Sequence, residues 1–359
     1  MIGNLKVNYK DTLYNKISYQ FQRYKHEIEL ESYDAIQSIS TPLIHQIFKQ
    51  FGESEIQYLV KEFYIMVLNA LFFENPKLLF NYQKWVYRVY FHRDLDLEFF
   101  KLLFEKIQDQ SHRYIDEDSI TILDSLFSQV YSNHEICKKS AHYKKTLFEN
   151  QEAEEISNLL IEKDIQKLEE IFHKNSPDLE KFVHFYSQKI SKAMHNIGYM
   201  WENNLIHFSK EHIATQTLKE LLLQTLQHIQ EKPANNKHIF LSIAPNEMHS
   251  FGLEIAKLVY EKLGFKVTTL TENLSNETIL YAIQKFQPEI VLISATLSRS
   301  LIDMFLLISE INTYKSTLSN NLKVGIAGAA FETFPLPTKT MHADFYIRNI
   351  EHILENKDF

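Results

Sequence analysis

The period of the hydrophobic pattern changes near residue 231, and that change limits the chain to a helical front and a layered α/β back. Upstream, apolar residues recur every three or four positions in "IQYLVKEFYIMVLNALFF", "KLLFNYQKWVYRVYF", "LDLEFFKLLFEKI" and "SITILDSLFSQVY", with Pro76 between the first two. That spacing marks one face of a helix. Downstream, the short β-rich runs "HIFLSI", "FKVTTL", "EIVLIS", "KVGIA" and "DFYI" alternate with helical patterns such as "GLEIAKLVYEKLG" and "ETILYAIQKF". Buried strands alternating with helices predict a parallel sheet covered on both faces. Glycine use agrees. Only Gly3, Gly52 and Gly198 occur in the first 200 residues, whereas Gly252, Gly264, Gly325 and Gly328 serve the tight junctions of the last third.

Three domains follow. Residues 1–140 read as one all-helical domain, ended by a polar break, "NHEICKKSAHYKK" (133–145). Residues 150–231 read as a four-helix bundle. Its clearest stripe is Val183, Tyr186, Ile190, Met194, Ile197 and Trp201. Asn204 suits a left-handed C-terminal cap, and Ser209 is expected to cap the next helix, whose stripe runs Ile213, Leu218, Leu221, Leu222, Thr225 and Ile229. "EKPANNK" (231–237) is the second boundary. Residues 236–355 then form a five-stranded sheet of the flavodoxin-like (Rossmann-like) order, whose ligands sit beyond the carboxyl ends of the strands.

Composition removes several functions. A formal charge of −8 argues against nucleic-acid binding by the chain as a whole. Cys137 is the only cysteine, so neither a disulfide framework nor a cysteine zinc site is available. The start "MIGNLKVNYKD" lacks a signal-peptide core and no 18-residue apolar run exists, so a cytoplasmic protein with no membrane contact is expected.

The loop after the first strand reads Glu247, Met248, His249, Ser250, Phe251, Gly252. A carboxylate two residues before a histidine can accept its second ring N–H and set its tautomer, leaving the other nitrogen for a metal. Taken singly, His249 also suits an exposed loop histidine, Ser294 a strand-end hydroxyl and Gly328 a turn. Together they resemble the cobalamin-binding domains. The Glu-x-His-x-x-Gly pattern stands where that family has its carboxylate-x-His-x-x-Gly motif, usually with Asp at the position of Glu247. Ser294, Ala295 and Thr296 end the third strand in the place of its Ser-x-Leu/Thr element, and Gly328 with Ala329 follows the fourth in the place of a Gly-Gly pair. The resemblance implies that His249 is the lower axial ligand to cobalt, with Glu247 behind it. It places Gly252, Ser294, Thr296, Gly328 and Ala329 around the corrin and its nucleotide tail.

The bundle carries a second likeness. In "IGYMWENNLIHFSKEHIAT", Trp201 precedes Glu211 and His212 by the Trp-x9-Glu-His spacing of the cobalamin-dependent photoreceptor and sensor family, relatives of the light-sensing repressors of carotenoid synthesis. The resemblance implies that Trp201 covers an upper axial 5′-deoxyadenosyl group of adenosylcobalamin, that Glu211 bonds its sugar and that His212 shapes the pocket. Read alone, Trp201 ends a core stripe, Glu211 favours a helix's first turn and His212 is a hydrogen-bonded histidine. This chain departs from the family pattern at Glu202, where the best-known branch has a histidine that takes the upper position after photolysis. His195 and His207 are the nearby alternatives.

Residues 1–140 show no basic winged helix, so no direct DNA binding is expected. Some cobalamin photoreceptors join this module to a helical domain holding a bilin. That architecture makes biliverdin a candidate cofactor here, with His92, His112 or His134 as contacts and Cys137 as an attachment point. The functional expectation is a non-enzymatic light receptor that signals through a change in homo-oligomeric assembly or through a downstream protein partner. The alternative is a corrinoid methyl carrier of a methyltransferase system. A scaffold with a vestigial pocket is the third reading, and a mutase is not expected, since the chain shows no substrate barrel.

Overall fold

The computed structural model describes residues 13–142, 150–315, 322–334 and 336–355. The opening "MIGNLKVNYKD" and the end of the 133–145 segment lie outside these residues. Contacts divide the chain into two compact units, Met1–Lys145 with Glu202–Asn204, and Thr146–Trp201 with Leu205–Phe359.

Within the described residues the first unit is entirely helical: α1 (Leu13–Arg23), α2 (Lys25–Gln37), α3 (Pro42–Phe51), α4 (Glu53–Phe72), α5 (Pro76–Phe91), α6 (Glu98–Ser111) and α7 (Glu117–Ala141). Pro42 and Pro76 open α3 and α5, each behind a side-chain cap, Thr41 and Asn75. The core is aromatic. Phe63 is fully buried, with Phe100 and Phe104 at centroid distances of 5.5 and 4.4 Å.

The expected polar break at residue 133 is not one. Helix α7 continues to Ala141, because His134, Cys137 and Ala141 recur at helical spacing and are buried. His134 escapes notice as a core residue because its polarity is satisfied internally: Tyr87 meets its Nδ1 at 2.6 Å and Glu98 its Nε2 at 3.3 Å.

The second unit begins with α8 (Gln151–Glu162), α9 (Ile165–Asn175), α10 (Leu179–Phe185), a π turn (Tyr186–Ile190), α11 (Ser191–Glu202) and α12 (Phe208–Gln227). Helices α10 and α11 form one rod joined by the π turn, so the bundle has its four rods. A π turn holds one residue more than an α turn and re-aims everything after it. Val183, Ile190 and Ile197 stay buried as the stripe predicts, but Ala193 joins them, while Met194 and Trp201 are only half-buried. Asn204 takes the left-handed conformation (φ 55°). The cap of α12 is not Ser209 but His207, whose Nδ1 accepts from the Ser209 amide at 3.2 Å. Helix α12 also buries Ala214, Thr217 and Leu226 and leaves Ile213 exposed, a face turned from the predicted one.

The sheet follows in parallel order β2-β1-β3-β4-β5, the flavodoxin-like arrangement. Its elements are β1 (His238–Ile243), α13 (Phe251–Lys262), β2 (Lys266–Leu270), α14 (Asn276–Phe286), β3 (Ile290–Ser294), α15 (Leu301–Tyr314), β4 (Lys323–Ala327), α16 (Ala330–Thr333), β5 (Phe345–Ile347) and α17 (Ile350–Glu355). Strands β1 and β3 are buried along their whole length, which explains their unbroken apolar sequences. The segment "EKPANNK" is pinned to the end of α13: Lys232 N donates to Lys262 O and Asn235 N to Gly264 O, both at 2.9 Å. Gly264 (φ 86°) admits no side chain there, since a Cβ would stand 2.2 Å from the Pro233 carbonyl. Bundle and sheet share one hydrophobic core.

Candidate functional site

The chain runs from β1 outward to β2 on one side and through β3 to β5 on the other, so the switch of direction lies between β1 and β3. Ligands of such sheets bind at that crevice. The loops leaving β1 and β3 there carry Glu247, His249, Ser294 and Thr296.

Glu247 organises both loops. It is fully buried, and its Oε1 accepts from the Met248 and His249 amides at 2.9 and 3.0 Å and meets His249 Nδ1 at 2.6 Å. Its Oε2 accepts from the Thr296 and Leu297 amides, both at 2.9 Å. Burial alone would raise this carboxyl; the His249 bond and the amides outweigh it and hold the group down at about 2. An ionised Glu247 fixes the proton of His249 on Nδ1. The Nε2 lone pair is left for a ligand on a ring that is half exposed. A neutral imidazole so oriented is a good donor to a transition metal.

The backbone completes the loop. Asn246 is left-handed (φ 61°); its amide donates to Asn273 Oδ1 and its Nδ2 to Asp303, both at 2.9 Å. An Asn following Pro245 is a turn signal, the only trace of this latch in the sequence. Ser294 is buried at the end of β3, where its carbonyl accepts from Ala244 N at 2.8 Å. It does not extend the Glu247 chain; the Thr296 and Leu297 amides do. Gly252 opens onto free space, as close approach of a flat ligand requires. Gly328 is required by its backbone. Its φ is 111°, and a Cβ would stand 2.1 Å from the Ala295 carbonyl, so it lets the β3 and β4 loops touch rather than leaving a gap. Ala329 follows it, leading into α16.

The bundle supplies a second cluster. Trp201 packs beside Phe208 (6.3 Å), and Phe208 lies 4.0 Å from the His212 ring. Glu211 Oε2 meets His212 Nδ1 at 2.5 Å, and Thr215 Oγ1 donates to Glu211 Oε1 at 3.1 Å. Leu205, Phe208 and, on the loop after β1, Met248 (74%) are exposed apolar side chains that periodicity did not single out, and Ile213, which it placed in the core, is exposed as well.

Glu202 is already engaged. It groups with the first unit, where its carboxylate accepts from Trp85 Nε1 at 2.7 Å and from Arg88 at 2.6 Å. His195 is six residues from Trp201, about 120° away around an ideal helix. His207 keeps Nε2 after capping α12. In the first unit, His112 is bound to Asp124 at 2.6 Å and His134 as described. Burial pushes the Cys137 thiol up to about 12, a state unsuited to attack on a cofactor. The cavity lined by Tyr14, Leu71, Ile122 and Leu126 holds about 20 Å³, room for one water. Among the described residues no helix is long and apolar enough to cross a membrane.

Residues 152–224, which cover the bundle from α8 almost to the end of α12, match the model of the B12 binding domain family. The bundle is thus similar to a B12 binding domain. Among curated proteins, the HTH-type transcriptional repressor CarH of Myxococcus xanthus is 26% identical over 145 residues, 40% of this chain and 47% of that protein. The chain thus spans about half the length of this relative. Solved structures include a cobalamin-binding protein from Desulfitobacterium hafniense (18% identity, TM-score 0.31, covering 56% of this chain and 95% of that one). The monomethylamine corrinoid protein of Methanosarcina barkeri aligns at 15% identity and TM-score 0.45, covering 56% and 94%. The segment matched to the B12 binding domain family directly precedes the sheet with its buried carboxylate and half-exposed imidazole.

Proposed function

We propose that the protein is an adenosylcobalamin-dependent light sensor, signalling through a change in assembly or partner binding rather than catalysing a reaction. The pair Glu247 and His249 carries the cobalamin half of this reading. A buried carboxylate that fixes one ring nitrogen leaves the other as a ligand for cobalt. Gly252, beside it, clears space for the corrin, and the Ser294 to Thr296 and Gly328 to Ala329 loops form the rim on the nucleotide side. Trp201, Phe208 and His212 supply an aromatic wall suited to the upper face. Glu211, held by His212 and Thr215, presents a carboxylate for ribose hydroxyls.

Bound cobalamin supplies a light-labile cobalt–carbon bond. The chain's part is to shelter the upper group in darkness and to respond when it leaves. The engaged carboxylate of Glu202 cannot repeat the histidine ligation of the best-known branch. The similarity to a transcriptional repressor supports a signalling role, whereas a methyl carrier needs an upper face open to catalytic partners.

One experiment separates the readings. Full-length protein is loaded in darkness with adenosylcobalamin or methylcobalamin, desalted, sized, illuminated and sized again. Retention of the adenosyl form and a light-driven change in size are expected. Equal retention of both forms with no change in size would instead indicate the carrier. His249→Ala should remove the His-on cobalt spectrum; an unchanged spectrum would refute the ligand assignment.

A further inference from the structure

Ser250 stands at the N-cap of α13, where a serine hydroxyl ordinarily accepts from an amide of the first turn, yet no such bond forms. Its Oγ instead donates to Glu254 Oε1 at 2.5 Å. The same oxygen accepts from Lys219 Nζ at 3.1 Å, reaching over from α12. The Lys219 ammonium also lies 6.0 Å from the centre of the Phe251 ring. One carboxylate oxygen thus joins the bundle helix to the residue that follows His249.

Position gives this bridge a purpose beyond stability. Glu211, Thr215 and Lys219 are four residues apart and share one row of α12, so the helix that presents the upper-face carboxylate also holds the lower loop. Lys219 and Glu254 are about a third exposed, where ion pairs add little to stability. The serine has moreover given up a cap to take part. The bonds of Lys219 and Glu254 run to each other and to Ser250, and that of His249 to Glu247.

We propose that Glu254 is a positioning residue for the lower axial ligand. By gripping Ser250 it holds the backbone on which His249 rides, and through Lys219 it references that backbone to α12. Ligation at His249 is thereby tied to the placement of the helix bearing Glu211 and His212. This inference rests on the assignment of His249 as the cobalt ligand.

The test uses the full-length chain as wild type, Lys219→Met, Glu254→Gln, Ser250→Ala and the reversed pair Lys219→Glu with Glu254→Lys. Two readouts are taken: the His-on fraction with cobalamin in darkness, from the visible spectrum and from nitrogen hyperfine coupling in the cobalt(II) form, and amide exchange over residues 247–252 of the cofactor-free protein. Each single variant is expected to lower the His-on to His-off ratio and to speed exchange, both by roughly tenfold, the lower end of what outer partners of metal ligands contribute. The reversed pair is expected to recover most of the loss. Lys219→Met with wild-type ligation and exchange would overturn the proposal, even should Glu254→Gln fail to fold. A wild type that keeps no cobalamin would refute the proposed function instead, which the same spectra distinguish.

Discussion

A single carboxylate holds the lower loop in shape. Glu247 receives four amides and one imidazole, and its folded carboxyl sits near 2 against an ordinary 4.5. A lowered carboxyl contributes stability that is complete above its unfolded value and disappears as pH falls toward the folded one. About 3 kcal/mol is therefore expected to be lost between pH 4.5 and about 2. Glu247→Gln should remove a similar amount near pH 7 and flatten that acid slope; urea unfolding at pH 5 and pH 3 measures both. Of this arrangement the sequence showed the carboxylate and the histidine, because a two-residue spacing places both on one loop. It did not show the Thr296 and Leu297 amides, since backbone donors leave no mark on residue identity. Gly328 has the special backbone that its glycine suggests, and the close approach that requires it, to the Ala295 carbonyl, left no mark in the sequence.

At the level of elements, periodicity suggested a bundle of four helices, placed two of them and located all five strands, because burial of one face or both writes itself directly into apolar spacing. It failed where polar side chains do apolar work. Helix α7 hides its buried face behind His134 and Cys137, and α12 begins at His207, a residue that seldom caps a helix. His207→Ala should destabilise the protein by about 1 kcal/mol, the worth of a lost N-cap, with Ser209→Ala costing less. Thermal unfolding of the two variants side by side checks the order; a costlier serine would restore the cap that the pattern suggested. The exposed face of α12 was equally illegible. Ile213 looked like core because it is isoleucine, and only the fold reveals that it is bare.

For the molecule as a whole, a ligand that binds the native second unit should stabilise that unit. Cobalamin at a hundredfold excess over its Kd contributes ~2.7 kcal/mol, which for a unit of this size raises its melting midpoint by roughly 5–10 °C. Calorimetry with and without cobalamin in darkness reads this. A midpoint that does not move while the visible spectrum reports bound corrin would show that the unfolded chain binds it as well.

The wide turn at Tyr186–Ile190 carries a consequence for how such a module diversifies. Because it accommodates one surplus residue within a continuous rod, losing or regaining a single codon there would swing Trp201 by roughly a hundred degrees. The packed half of the rod before it would stay in place. The direction in which Trp201 faces can therefore be reset by a change in chain length, with no substitution at Trp201, Phe208 or Glu211.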